Sequence, residues 1–347
     1  YKGFTLDGSS QIAIFTGNTA TGNGDADYDG VSDTSIPSGT VSGEHFSIGQ
    51  SGTKNGGDCS QVGTWVETTL GPEGGTCTLT ADIQITGTGV GLNLASSRVM
   101  LDGAGHTLTG TQTGTGTIGI KTCNQCHTMG IKDLTIKTFV EGIVSNYADG
   151  LVITGVTIDD VNQRAMNLYG MWSLLLENNV ANGGTIWIQG HNMHMGVGDG
   201  TCVGTGDADA TSIIIRNNSV TNAGLSADYG AGWCIDGNSV TNGAISIGYA
   251  WDQVSSQNHM IKNNVVSHPN GSGFNVIGSG NTFDSNTSTN SEIGFVFDSR
   301  SQNNVITNNI GNDNQLYGFQ FQEGSTGHTF TGNTATGNGD ADYDGVS

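Results

Sequence analysis

The sequence predicts an all-β solenoid, a parallel β-helix, and three observations carry that expectation. A short phrase recurs at intervals near 22 residues, as Ile261-Lys-Asn-Asn264, Phe283-Asp-Ser-Asn286 and Asn308-Asn309, with Phe330-Thr-Gly-Asn333 following after a slightly longer step. A second phrase lies between the copies, as Gly273-Phe274-Asn275-Val276, Gly294-Phe295-Val296-Phe297 and Gly318-Phe319-Gln320-Phe321. Long segments with a 3.6-residue period are missing, which excludes helical repeats.

Each coil therefore holds two strands of three to five residues, with an apolar side chain turned inward and polar ones outward. One such coil cannot bury its apolar face alone, so the coils must stack. Asn tolerates the left-handed backbone that tight corners need, and successive Asn side chains can hydrogen-bond along the stack as a ladder. Earlier copies occur at Ile131-Lys132-Asp133, Ile153-Thr154-Gly155, Leu176-Glu177-Asn178-Asn179, Ile215-Arg216-Asn217-Asn218 and Ile235-Asp236-Gly237-Asn238. The expected organisation is a first coil with an Asp-rich loop over 1–32, a loop-rich insertion or subdomain over 33–85, a β-helix over 86–329 and a closing repeat over 330–347. A second, Gly-rich insertion is expected at about 192–212.

The closing repeat is literal. Residues 15–32 read FTGNTATGNGDADYDGVS, and residues 330–347 read the same. The flanks agree at the same offset, Phe4 with Phe319 and Leu6 with Phe321. This suggests a tandem array, or a subunit whose ends are equivalent in a polymer, with Phe4, Leu6, Phe319 and Phe321 as inward residues at an end-to-end junction. Open strand edges at each end would recruit the next copy.

Composition narrows the partners. The 347 residues include 57 Gly and 3 Pro, with 12% charged residues, and the formal net charge is −21. Such a charge repels phosphate backbones and anionic membrane surfaces, so nucleic acid is not an expected partner. No run of 18 apolar residues occurs, and so no membrane span is expected. Six cysteines fall into sequence-near pairs, Cys59 with Cys77, Cys123 with Cys126 and Cys202 with Cys234, although six allow fifteen connectivities. Their even number in an acidic chain fits an oxidising compartment, extracellular or at the cell surface.

Several motifs carry candidate chemistry. Asp25, Asp27, Asp29, Val31 and Asp33 follow the first positions of a calcium loop, with Gly30 at its turn, but Ile36 stands where the bidentate Glu belongs. An EF-hand is excluded, while a shorter Asp-rich calcium loop is expected; Asp340, Asp342 and Asp344 form its incomplete second copy. Cys123-Asn-Gln-Cys126-His127 matches the attachment sequence of a c-type haem. It occurs once, at an expected coil corner, and no second axial ligand stands out, so a corner disulfide is preferred to haem. Asn217, Asn270 and Asn286 begin glycosylation sequons and fall at expected corners or turns.

The repeat resembles the parallel β-helix repeat family over roughly residues 85–335, and the phrase Val99-Met-Leu-Asp-Gly-Ala-Gly-His-Thr-Leu108 is similar to an opening coil of its microbial surface members. That resemblance implies a right-handed β-helix, here of about a dozen coils, and leaves activity open. Polysaccharide-cleaving members carry paired aspartates, Gly-His-Gly and Arg-x-Lys. Here Asp159-Asp160 is the one adjacent Asp pair, the other two motifs are missing, and the basic residues look scattered. The expectation is an extracellular structural protein without enzymatic activity, a filament, sheath or stalk stiffened by calcium, whose partners are copies of itself. The alternative is a surface β-helix that binds or cleaves a polysaccharide, and a second alternative is a haem-bearing fibre.

Overall fold

The computed structural model describes residues 75–345 apart from 87–88, 96, 112–115, 192–212 and 249–255, together with the strands Phe4–Thr5, Tyr28–Asp29, Thr40–Ser42, Phe46–Ile48 and Trp65–Glu67. It is a parallel β-solenoid of about ten turns, and no helix occurs among the described residues. Two compact units divide it, Tyr1–Asn167 and Leu168–Ser347.

In the first unit, the strands Gly75–Leu79, Val99–Asp102, His127–Lys132 and Asp149–Thr154 stack in parallel as the first strand of successive coils. Inward residues such as Leu101, Ile131 and Ile153 are fully buried. The segment expected as an insertion joins the solenoid. Thr40–Ser42 pairs in parallel with Gln84–Thr86, and Phe46–Ile48 with Leu92–Leu94. Trp65–Glu67 is antiparallel to Cys77–Leu79.

The second unit repeats one coil with little variation. Ile215, Ile235, Ile261, Phe283, Ile306 and Phe330 are successive register partners in its first strands. Phe274, Phe295, Phe319 and Tyr343 form a column of parallel rings on another side of the core, with centroids 4.5, 4.7 and 5.8 Å apart. A 4.8 Å strand spacing brings equal side chains into register, so identical flat rings stack with offset faces at almost that distance.

The expected Asn ladder is present and buried. Nδ2 of Asn179 donates to Oδ1 of Asn218, and the same bond runs on through Asn238, Asn264, Asn286, Asn309 and Asn333 at 2.9–3.0 Å. From Asn218 onward each Nδ2 also reaches a backbone carbonyl, as Asn264 reaches Ile235, and each Oδ1 also accepts the preceding Asn's backbone N–H. The Asn-Asn phrase divides its work. The first Asn takes the left-handed corner, at φ 56° in Asn178 and 55° in Asn263, and the second turns inward. That geometry corrects the glycosylation expectation for Asn286, which is fully buried in the ladder. Asn217 and Asn270 are exposed.

The duplicated segment pairs alike in both places. Phe4 is the register partner of Tyr28, and Phe319 of Tyr343, in parallel strands. Phe319 and Phe321, expected as inward residues at a junction, are buried within the second unit. The strand Ala341–Asp344 lies on Tyr317–Phe321, so Tyr343 covers Phe319, while Phe297, His328 and Phe330 surround Phe321. Both are core residues of their own coil. The side chains of Phe4 and Leu6 lie outside the described residues.

Candidate functional site

The outward face of the first strands in the first unit carries the chemistry. Asp149 is the register partner of His127, and its Oδ2 lies 3.4 Å from the imidazole Nδ1. Both side chains are well exposed, at 66% and 44%. A carboxylate on Nδ1 orients the ring and leaves Nε2 as the atom that can take a proton. Ser97 Oγ accepts the His127 N–H at 3.0 Å, and the His127 carbonyl accepts the N–H of Arg98 at 2.9 Å, which sets an exposed guanidinium on the neighbouring coil. Arg98 and Thr128 both sit at positive φ, 63° and 53°. For the β-branched Thr128 this is a strained conformation, shared by Thr138 at another corner with φ 63°.

Two further pairs lie on the same coils. Lys132 Nζ contacts Asp102 Oδ2 at 2.8 Å. Partial burial acts to raise the Asp102 pKa, but the Lys132 ammonium and the Ala104 N–H outweigh it and hold the carboxyl below its usual value. The hydrogen bond to Asp102 raises the Lys132 pKa. His106 Nδ1 lies 3.2 Å from Asp82 Oδ1, which also accepts the Thr107 N–H at 2.9 Å; that backbone bond leads in lowering the Asp82 pKa. The basic residues are not evenly scattered. Five of ten, Arg98, Lys121, Lys132, Lys137 and Arg164, fall between 98 and 164 against six acidic residues, while the whole chain carries −21. An anionic ligand meets less repulsion here than the net charge of the whole chain would suggest.

The remaining predicted residues are dispersed. Asp159 and Asp160 are exposed, and Asp160 occupies a corner at φ 52°. Cys123 and Cys126 are joined, with Cα atoms 5.6 Å apart, as expected at a corner. Cys77 and Cys234 are disulfide-bonded as well, and no described cysteine is free. Cys59 and Cys202 lie outside the described residues, as do the side chains of Asp25, Asp27, Asp29, Val31 and Asp33. In the second copy the expected calcium ligands do not converge. Asp342 accepts Nδ2 of Asn338 at 2.8 Å and Asp344 accepts Nε2 of Gln320 at 3.1 Å. No group of three His, Cys, Asp or Glu that could hold a metal occurs among the described residues. No helix there is long and apolar enough to cross a membrane.

Residues 201–346 match the family model described as a right-handed β-helix region. The chain carries a right-handed β-helix. No curated protein matches its sequence. Among solved structures, the β-helix is similar to the A-module of the mannuronan C-5 epimerase AlgE4 of Azotobacter vinelandii, at 14% identity and TM-score 0.44, over 89% of this chain and 91% of that one. It is also similar to an alginate lyase from a Paenibacillus strain, at 15% identity and TM-score 0.36, over 78% of this chain and 91% of that one. Both neighbours are named for chemistry on a polysaccharide, which corrects the expectation of a β-helix without enzymatic activity. At this identity the likeness itself extends to the fold alone.

The sequence reading named His127 only within the haem-like motif and missed Asp149 and Arg98. A signal existed: His127 and Asp149 are 22 residues apart, one coil length, so the period already made them neighbours.

Proposed function

We propose that this β-helix is a polysaccharide-acting enzyme of an extracytoplasmic compartment and that its substrate is an acidic glycan. The observation that carries the reading is the His127–Asp149 pair, set beside Arg98 on an outward sheet face in a stretch of the chain that is nearly charge-balanced. In this reading Arg98 meets the sugar carboxylate, and His127 Nε2 removes a ring proton whose acidity that contact increases. Asp149 holds the imidazole orientation and stabilises the imidazolium that forms. The open, continuous strand face suits an extended polymer, and the disulfides suit export.

The experiment is incubation of the purified protein with alginate and with pectate. Unsaturated uronate, read by ultraviolet absorbance, or inversion at C5, read by proton NMR, is the expected product. His127→Gln should abolish it, and Arg98→Ala should lower kcat as well as raise KM. If neither polymer is altered under any condition in which the protein is folded, the proposal is wrong.

A further inference from the structure

Two ring pairs in the second unit lie side by side across adjacent coils. Tyr169 and Trp187 are parallel within 26°, with centroids 6.1 Å apart; Trp172 and His191 are parallel within 23°, at 4.3 Å. The strand Thr185–Gly190 explains the arrangement. Residues 187, 189 and 191 alternate onto its outward side, so Trp187 and His191 flank Gln189, and Tyr169 and Trp172 flank the same edge one coil earlier. Trp187 is then fixed from the third coil: its Nε1 donates to Asp228 Oδ2 at 2.6 Å, and Ser226 Oγ bonds Asp228 Oδ1 at 3.2 Å. Asp228 is 1% exposed, so this carboxylate is an internal brace.

Core packing does not account for the cluster. Trp172 is 36% exposed, and Tyr169 and Trp187 are half-buried, whereas the ring column of Phe274, Phe295 and Phe319 is sealed. Gly190 adds to the design: a Cβ there would come within 2.8 Å of the Trp233 ring, so glycine lets that indole close up beneath the strand. Flat rings left partly open to solvent, one of them held from behind by a hydrogen bond to Asp228, have the chemistry of a surface for the apolar C–H face of a pyranose.

We infer that Tyr169, Trp172 and Trp187 form a stacking subsite for pyranose rings of a long glycan, distinct in chemistry from the charged face of the first unit. The inference rests on the reading of the protein as polysaccharide-acting. It predicts ring-face recognition that does not depend on the sugar's charge.

The test titrates sodium alginate and a neutral soluble β-glucan into the His127→Gln protein, following tryptophan emission and heat. Both polymers should bind, and Trp172→Ala, at an exposed position, should weaken each about tenfold. This loss should persist at high salt, where contacts made by charge are screened. Tyr169→Leu serves as the second variant, and circular dichroism checks its fold. Unchanged affinity in Trp172→Ala, or a Trp172 emission that external quenchers do not reach, overturns the subsite. Turnover of alginate with a KM indifferent to Trp172 leaves the enzyme reading standing without the subsite; Trp172-dependent binding without turnover does the reverse.

Discussion

Nδ1 of His259 accepts the backbone N–H of Trp233 at 3.0 Å, while the His259 N–H donates to Oδ1 of Asn281 at 2.9 Å. Histidine here stands in an Asn column, since Asn281 makes the same contact to Asn304, and Asn304 to Nδ1 of His328. The imidazole can accept that bond only when neutral, and its complete burial pushes the pKa down to about 3.

Acid should therefore destabilise the second unit through this ring. The unfolded chain binds the proton near pH 6.5 and the folded chain only near 3, so the unfolded state holds more protons throughout that interval. Stability is full above 6.5 and falls as the pH drops toward 3, by several kcal/mol at ~1.4 kcal/mol per pKa unit. His259→Asn keeps an acceptor without a titrating group. Its Tm should be lower at neutral pH, from the smaller side chain, yet fall less steeply with acid. Parallel Tm curves for the two proteins would refute the assignment.

Asn264→Ala should cost ~2 kcal/mol or more, because it strands the Ile235 carbonyl, the Asn238 amide and the Asn286 oxygen inside the coil. Thr241→Ala, on the exposed face, should stay within ~0.5 kcal/mol. Denaturant unfolding of both variants provides the comparison; equal midpoints would mean that the ladder contributes no stability.

Phe295→Ala should remove about 3–5 kcal/mol, since the ring is fully buried between Phe274 and Phe319 at 4.5 and 4.7 Å. Phe295→Leu should lose much less, because it refills most of the volume. Calorimetry would show a small loss for both if the column can collapse.

Expression in a glycosylating host should modify Asn217 or Asn270 and leave Asn286 bare, since only the last is sealed in the core. Peptide mass analysis decides, and a sugar on Asn286 in folded protein would contradict the ladder.

The repeated coil was legible because its signals are local. Asn178-Asn179 and Asn263-Asn264 announce a left-handed corner and an inward amide within two residues, and Phe274, Phe295 and Phe319 mark one side of the core at coil spacing. The catalytic candidates were legible only in principle. His127 and Asp149 meet because a coil is 22 residues long there, whereas Lys132 and Asp102 meet across 30 residues, where the coil is longer. Trp187 and Asp228 are 41 residues apart, because the segment 192–212 interrupts the rhythm between their coils, and no period could pair them.

Alone, the sequence determined a stacked parallel β-coil with Asn corners, since strands this short can satisfy their backbone and bury their apolar side chains only against copies of themselves. It also showed a segment used twice, which pairs in the same register in both places. The tertiary structure decided what that repetition leaves outside. Outward neighbours depend on the length of each individual coil, so insertions and longer turns choose which imidazole meets which carboxylate and which indole stays open to solvent.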